Sequence, residues 1–242
     1  MSYLKLEKII DKNHNIVFFG GAGVSTESNI PDFRSENGLY NTKYRFKYSP
    51  EVMLSYKFFI EHTEEFYKFY KERVLFPTAS PNNAHLALAR LEASGKLKGV
   101  ITQNIDGLHQ KSGSKNVQEL HGSVHRNYCT KCNKHYDLNY IINSPNIIPY
   151  CNECNSVVKP DVVLYEEALD NETIKNSIYL ISQADVLIVG GTSLVVYPAA
   201  GLIDYFGGKE LILINKSSTP YDYKATLTIN DSIGQVFKNI MK

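Results

Sequence analysis

Short apolar runs rich in β-branched residues recur along the chain, and segments with a helical pattern of hydrophobic positions separate them. The runs lie at residues 16–19, 99–102, 186–189 and 211–214, with a weaker one at 227–229. Runs that are apolar at every position are typical of strands buried on both faces, as in a parallel sheet. The alternation therefore predicts an α/β fold, with helices on both faces of a parallel sheet.

Two segments carry the strongest helical signals. In residues 81–94, Ser80 is the predicted N-cap, Pro81 takes the first helical position and Gly95 ends the helix. The aromatic segment EVMLSYKFFIEHTEEFYKFYKERVLF, at 51–76, is also predicted to be helical. Residues 122–165 show no such period and contain the four cysteines of the chain, which predicts a small inserted lobe.

Composition narrows the class of protein. The 242 residues are 43% hydrophobic and 21% charged, with a net charge of +1, so a soluble fold with no specific nucleic-acid partner is expected. The uncharged segment 186–203 is broken by Gly190, Gly191 and Pro198, which favours a strand, a turn and a helix over a membrane span. The N-terminus lacks an uninterrupted apolar region, so a cytoplasmic protein without membrane contact is predicted.

The cysteines are spaced as zinc ligands. Cys129 and Cys132 form CTKC, Cys151 and Cys154 form CNEC, and eighteen residues separate the pairs. Paired C-x-x-C turns present four thiolates to one tetrahedral ion at about 2.3 Å. Disulfides are the alternative, but they are disfavoured in the cytosol. Because four thiolates leave no open position, the predicted zinc is structural, and nearby His125 and His135 are interpreted as surface or packing residues.

A glycine-rich loop follows the first predicted strand, in IVFFGGAGVSTESNIPDFR. Gly20, Gly21 and Gly23 would let the backbone turn tightly and approach a phosphate. The loop is not a complete dinucleotide fingerprint, since Thr26 stands where G-x-G-x-x-G requires a third glycine. A nucleotide phosphate site is favoured over the alternative of a purely structural turn.

Hydrogen-bonding residues also follow three other predicted strands. They are Gln103, Asn104 and Asp106 after the second, Thr192 and Ser193 after the run at 186–189, and Asn215 after the run at 211–214. In a parallel sheet the carboxyl ends of the strands meet at one edge, where ligands bind. Each segment alone could be an ordinary polar loop, and it is their convergence that predicts a site.

Taken together, these motifs resemble one family. GAGVSTESNIPDFR, TQNIDGLH, LHG, the two C-x-x-C pairs, GTSLVVYPA and LIN stand in the order and spacing of the sirtuins, the NAD-dependent protein deacylases. The resemblance extends from about residue 17 to about residue 236. It implies a Rossmann-like NAD-binding domain formed by residues 1–121 and 166–242, and a zinc-binding lobe formed by residues 122–165.

The resemblance also implies the site residues. His121 would be the general base, and Cys129, Cys132, Cys151 and Cys154 would hold the structural zinc. The NAD site would be lined by Ala22, Thr26, Phe33, Arg34, Gln103, Asn104, Ile105, Asp106, His121, Thr192, Ser193, Asn215 and Ile233.

The implied reaction removes an acetyl or other neutral acyl group from lysines in extended protein segments. The acyl oxygen attacks the nicotinamide ribose, His121 assists a ribose hydroxyl, and nicotinamide, lysine and O-acetyl-ADP-ribose result. An imidazole suits this work because its pKa of about 6.5 lies near working pH. The alternatives are a mono-ADP-ribosyltransferase using the same NAD site, a zinc-ribbon interaction module, and an NAD sensor without catalysis.

Three positions depart from the family pattern. Asn29 replaces a glycine, a small change because asparagine tolerates left-handed backbone. Glu166 replaces the glycine of the family's F-G-E, and its charge is expected to favour basic residues flanking the target lysine. Tyr67-x-x-Tyr70 replaces the Tyr-x-x-Arg that reads acidic acyl groups, so acetyl is expected over succinyl or malonyl.

Overall fold

Parallel strands form the main sheet, as the apolar runs predict. The computed structural model describes residues 2–33, 38–39 and 47–241. Within them the strands are β1 (Ile16–Gly20), β2 (Leu97–Thr102), β3 (Val117–Glu119), β4 (Gly122–Cys129), β5 (His135–Tyr136), β6 (Val158–Val162), β7 (Val186–Gly190), β8 (Glu210–Ile214) and β9 (Leu227–Ile229). The predicted runs correspond to β1, β2, β7, β8 and β9.

The order of the strands creates a crevice. The larger sheet runs β3-β2-β1-β7-β8-β9, and every pairing in it is parallel. The chain leaves β1 toward β2 on one side and returns to β7 on the other, so the order reverses beside β1. Such a switch point is where open α/β sheets bind ligands.

Helices follow the strands on both faces. They are α1 (Ser2–Lys12), α2 (Pro50–Met53), α3 (Tyr56–Glu61), α4 (Thr63–Phe69), α5 (Asn83–Ala93), α6 (Leu108–Ser112), α7 (Leu138–Ile142), α8 (Asn171–Gln183) and α9 (Ile233–Ile240). The aromatic segment 51–76 is helical as predicted, but it is divided into α2, α3, α4 and a short π-helical turn, Tyr70–Val74.

Alternate residues of β1 bury their side chains in two different cores. Ile16 and Phe18 pack with α1, α5 and α9, whereas Val17 and Phe19 pack with α8 and the 3₁₀ segment Ala199–Tyr205. All four side chains have no exposed surface. This two-sided burial explains why the strand sequence is continuously apolar, and the predicted α/β class is confirmed.

The predicted start of α5 is wrong. The helix begins at Asn83, and its N-cap is Asn82 rather than Ser80. The Asn82 side chain accepts from Ala84 N at 2.9 Å, while His85 Nδ1 accepts from Asn82 N at 3.3 Å. This reciprocal pair satisfies the first turn, so Pro81 remains outside the helix.

The lobe contains the second sheet. Its strand order is β5-β4-β6, with antiparallel pairing and a register shift between Ser123 and Asn127. That irregularity explains why the sequence of the lobe shows no clear period. Its apolar core is shared with α2, α3 and α4, since Val124 and Val158 lie in one cluster with Phe66 and Phe69. The domain boundaries at 121/122 and 165/166 stay a prediction.

None of the helices in the described ranges has the length and apolar character needed to cross a bilayer. The segment at 186–203 instead supplies β7, a glycine turn and the beginning of the 3₁₀ segment, as predicted.

Candidate active site

The strand ends open into one cavity of about 950 Å³. The register places Gly20 beside both Thr102 and Gly190, and Gly190 beside Ile214, so the loops after β1, β2, β7 and β8 start at one level. Arg34 lies outside the described residues. All the other predicted site residues of the large sheet line the cavity, namely Ala22, Thr26, Phe33, Gln103, Asn104, Ile105, Asp106, His121, Thr192, Ser193, Asn215 and Ile233.

Two glycines bring the first and third of these loops into contact. Gly191 has φ +61°, and a Cβ there would lie 2.4 Å from Val24 N. A Cβ on Gly23 would lie 2.8 Å from the Gly191 Cα, and Gly23 N donates to Gly191 O at 2.8 Å. The glycines are therefore required for close packing of two loops, in addition to any contact with a ligand.

Asp106 belongs to a buried polar network at the floor of the site. Its Oδ1 accepts from Leu108 N at 2.9 Å and its Oδ2 accepts from the Ser25 hydroxyl at 2.7 Å. Asn104 Nδ2 in turn donates to Ser25 Oγ at 3.1 Å. Ser25, which is 1% exposed, was not among the predicted site residues, although it lies inside the glycine-rich motif. It joins the first loop to the second.

Burial raises the pKa of the Asp106 carboxyl above its ordinary value, although the hydrogen bonds from Leu108 and Ser25 oppose the rise. His125 Nε2 lies 3.0 Å from Asp106 O, and the His125 ring would lie 2.6 Å from a Cβ at Gly107, whose φ is +70°. His125 is thus a packing residue, as expected, and it supports the loop that holds Asp106.

His121 is oriented by a backbone carbonyl. Its Nδ1 lies 2.9 Å from Gln103 O, and since a carbonyl only accepts, Nδ1 carries the proton and Nε2 is the basic nitrogen. Burial lowers the pKa of His121 below its ordinary value, and the bond to Gln103 partly opposes that shift. A neutral imidazole with a free Nε2 is the form that a general base requires at neutral pH.

The loops after β7 and β8 form the other end of the cavity. Thr192 N donates to Asn215 Oδ1 at 2.9 Å, and Gln103 Nε2 donates to Thr192 Oγ1 at 3.0 Å. Asn215 Nδ2 is buried and has no hydrogen-bond partner among the described residues. A buried donor left unpaired is unfavourable, so this amide is suited to a polar group of a bound ligand.

The four cysteines form one cluster in the lobe, and their Sγ atoms all lie within 4.8 Å of one another. Cys129 and Cys154 are separated by 3.3 Å, and Cys132 lies 3.6 Å from both Cys151 and Cys154. Ligands at 2.3 Å in a tetrahedron would be about 3.8 Å apart, whereas a disulfide requires about 2.05 Å. The Tyr136 hydroxyl also donates to Cys151 Sγ at 3.1 Å. This donor set fits a closed zinc site.

Residues 162–167 follow β6 and also line the cavity. Val163 N donates to His121 O at 3.0 Å, which places this segment directly beside the candidate base. Asn29 and Glu166, the departures from family glycines, both have left-handed backbone, with φ of 62° and 78°. Asn29 thus behaves as expected. The Glu166 carboxylate accepts from Lys57 N in the first turn of α3 at 2.9 Å.

A family model described as the Sir2 family matches residues 21–198. An NAD-dependent protein deacetylase of Clostridium acetobutylicum is 64% identical over 237 residues, covering 98% of this chain and 97% of the relative. This chain belongs to the Sir2 family, as its sirtuin motifs predict.

Solved structures of Sir2 proteins match the fold of this chain over its whole length. A complex of a Sir2 variant with a deacetylated p53 peptide and 3′-O-acetyl ADP ribose is 40% identical, has a TM-score of 0.91, and covers 100% of this chain and 98% of its own. Sir2 bound to acetylated peptide is also 40% identical with the same coverage, and its TM-score is 0.88.

Proposed function

We propose that this protein is an NAD-dependent protein-lysine deacetylase. Acetyl-lysine, NAD and water would give lysine, nicotinamide and O-acetyl-ADP-ribose. The observation that carries the proposal is the convergence of four loops and one oriented imidazole on a single cavity. The name of the clostridial relative and the acetylated peptide and acetyl-ADP-ribose complexes of the solved relatives support it.

NAD would lie along the carboxyl edge of the large sheet. Asn215 and Thr192, with Ser193 and Ile233 nearby, would bind its adenosine end, and the buried Asn215 amide is available for a ribose hydroxyl. Ala22, Thr26 and Gln103 would contact the middle of the dinucleotide. Phe33, Ile105 and Asp106 would surround the nicotinamide, and Arg34 is proposed from the motif alone.

His121 would act as the general base toward a ribose hydroxyl. The Gln103 carbonyl keeps the proton on Nδ1, so Nε2 is free to accept one. The Ser25–Asp106–Asn104 network would hold the nicotinamide end rigidly while this transfer occurs. Preorganised polar groups in a water-poor cavity are effective because they need not reorient during the reaction.

The cysteine cluster would hold one structural Zn²⁺. The bound ion would fix the lobe against α2–α4 and would take no part in the chemistry, because four thiolates complete its shell. The proposed location is the cytoplasm, where thiols are kept reduced and can bind the ion. Metal analysis should find about one zinc per chain, and chelation should abolish activity together with the fold of the lobe.

Glu166 is proposed to favour basic residues next to the target lysine, although its Oε2 also caps α3. Glu166→Gln keeps an acceptor for Lys57 N and removes only the charge. A preference of about twofold to fivefold for basic peptides should then disappear, since exposed charge pairs are weak. An unchanged preference in Glu166→Gln would exclude this role.

Nicotinamide release from NAD, measured with and without an acetyl-lysine peptide, tests the function directly. Deacetylation predicts release that depends on the peptide, with soluble O-acetyl-ADP-ribose as product. Label from NAD on protein, without peptide dependence, would instead favour ADP-ribosyl transfer. Peptide binding without nicotinamide release would favour an interaction module.

A further inference from the structure

Lys159 is a buried cation that the proposed reaction does not use. It lies on β6 and is only 4% exposed. Its Nζ donates to Pro160 O at 3.3 Å, to Val162 O at 3.2 Å and to Glu167 Oε2 at 3.0 Å. An ammonium group has three protons, and here three acceptors surround it. All three N–H groups of the Lys159 ammonium can therefore be paired with acceptors in the chain segment that follows it.

Glu167 completes the arrangement from the other end of that segment. The same Oε2 that accepts from Lys159 also accepts from Leu164 N at 2.8 Å. Glu167 N donates in turn to Leu164 O at 3.0 Å, which closes a tight turn over residues 164–167. One carboxylate oxygen thus fixes both the cation on β6 and the backbone of the turn.

The turn is tied to both sides of the cavity. Tyr165 N donates to Leu54 O at 3.0 Å, and Tyr165 O accepts from Tyr56 N at 2.9 Å. At the start of the segment, Val163 N donates to His121 O. The backbone between Val162 and Glu167 therefore spans from the candidate base to the helical region around α3, and all six residues line the cavity.

Lys159 itself is not among the described residues that line the cavity. It lies behind the segment and holds it through carbonyl and carboxylate contacts. A buried charge that loses its partner is strongly unfavourable, so the segment cannot leave this conformation without a large free-energy cost. The ion pair is thereby suited to fixing the position of a cavity wall that lies directly beside His121.

We propose that Lys159 and Glu167 are positioning residues for the acyl-lysine peptide, since their ion pair holds residues 162–167 in the conformation that receives it. This inference rests on the proposed deacetylase function. It makes the pair responsible for peptide affinity and for alignment of the acyl group with His121, and it assigns no role in NAD binding.

The experiment compares Lys159→Met, Glu167→Gln and the double variant with the wild type. Lys224→Met is the matched control, because it breaks an exposed ion pair with Asp204 in the large domain. The measurements are the KM for acetyl-lysine peptide, the KM for NAD, direct binding of a fluorescent acetyl-lysine peptide, zinc content and thermal stability.

Lys159→Met should raise the peptide KM by roughly tenfold to a hundredfold, because small displacements of positioning groups cost that much. The KM for NAD and the zinc content should stay near wild type. Glu167→Gln keeps an acceptor for Leu164 N, so its increase should be smaller. The double variant should lose no more than Lys159→Met, since the two residues act as one unit.

A fall in stability or zinc content with an unchanged peptide KM in the active fraction would overturn the proposal, because the pair would then be only structural. Equal increases in the KM values for peptide and NAD would also contradict it. Failure of the wild type to release nicotinamide with peptide would instead refute the deacetylase function, whereas direct peptide binding would still test the pair. Lys224→Met should match the wild type throughout.

Discussion

The loops after β1, β2, β7 and β8 and the segment after β6 line the same cavity, yet different interactions fix them. The loops are positioned by strand register, by backbone contacts such as Gly23 N to Gly191 O, and by side-chain hydrogen bonds such as Ser25 to Asp106, with no ion pair between them among the described residues. The segment 162–167 also makes backbone hydrogen bonds, to His121, Leu54 and Tyr56, but it is fixed in addition by the buried Lys159–Glu167 ion pair. The Glu166 carboxylate adds a contact with Lys57 N in α3. The half formed by the four loops, called the dinucleotide half, is therefore built into the sheet. The half formed by residues 162–167, called the peptide half after the proposed function, depends in addition on one buried ion pair.

This difference predicts opposite sensitivities. The dinucleotide half should be disturbed by adding atoms between closely packed backbones. The peptide half should be disturbed by removing charges or ligands. His121 lies where the halves meet, because its ring contacts Gln103 O and its own carbonyl accepts from Val163 N.

The largest expected effect is on the rate of catalysis, and it follows from a substitution of His121 at that junction. His121→Ala should lower kcat by about 10²–10⁴-fold, since it removes the proposed general base. NAD binding, measured by calorimetry, should remain because the four loops keep their own contacts. His14→Ala, at an exposed histidine outside the cavity, is the control and should retain wild-type activity. Activity of His121→Ala within a few-fold of wild type would show that another group accepts the proton.

The acyl end of the peptide half should discriminate by charge. Tyr70 is fully buried and its hydroxyl has no partner among the described residues, while the Tyr67 hydroxyl donates to Val158 O. Neither phenol supplies a cation and neither lines the cavity, so these two positions offer a succinyl carboxylate no partner, and kcat/KM should be about 100-fold lower than for acetyl-lysine.

Arg73 makes this test sharper. It also lines the cavity, and its Nε lies 3.2 Å from Glu72 Oε1 without forming a hydrogen bond, so its guanidinium is the alternative partner for a succinyl carboxylate. Comparable turnover of succinyl and acetyl peptides by the wild type would indicate that the Arg73 guanidinium binds the succinyl carboxylate. Loss of succinyl turnover alone in Arg73→Met would then identify the cation.

The dinucleotide half is probed by one added methyl group. Gly191→Ala would place Cβ 2.4 Å from Val24 N at a φ of +61°, so the two loops must separate. The KM for NAD should rise about tenfold or more, because loop separation misplaces Thr192 and Gly23 together. Gly207→Ala is the control, since its Cβ meets nothing within 4 Å. An unchanged KM for NAD in Gly191→Ala would contradict backbone control of this half.

The features that the sequence predicts well are those that the sheet itself determines. Continuous apolar runs locate β1, β2, β7, β8 and β9, and parallel topology then requires that the loops after them converge. His121 and the cysteines are predicted as site residues from motif and spacing. These features depend on local pattern, which one sequence contains.

Contacts between distant residues are not visible in such a pattern. Ser25 reaches Asp106 across 81 positions, and nothing in either segment alone predicts the pairing. Ser80 and Asn82 are both good N-caps, and the choice of Asn82 depends on its Nδ2 donating to Val24 O and Ser28 Oγ in the first loop. Likewise, Lys159 looks like an ordinary exposed lysine until β6 is packed.

The last expected effect is on stability rather than on catalysis, and it is a pH dependence that arises in the core of the large sheet. His85 and His109 are buried with their rings 4.7 Å apart, and His85 Nδ1 accepts from Asn82 N. Burial lowers the pKa of His85 from 6.5 to about 4 and lowers that of His109 as well. Both rings are therefore neutral in the folded protein at neutral pH.

The sign of the effect follows from linkage. Between pH 6.5 and 4 the unfolded chain binds a proton at His85 that the folded chain does not, so the free energy of unfolding falls as pH falls through this window. One histidine contributes a loss of about 1.4 kcal/mol per pH unit, or about 3 kcal/mol over the window. Above pH 6.5 the contribution is constant.

Urea unfolding at pH 7.5, 6 and 5 measures this slope, and His85→Gln isolates the part due to one ring. The variant keeps an uncharged acceptor near Asn82 N, so its unfolding free energy should depend less on pH by about 1.4 kcal/mol per unit. Acid release of a metal held by the four cysteines would affect both proteins equally and would cancel in the difference. An identical slope in the two proteins would mean that His85 is solvated in the folded state, and the acid sensitivity would then belong to the lobe rather than to the sheet.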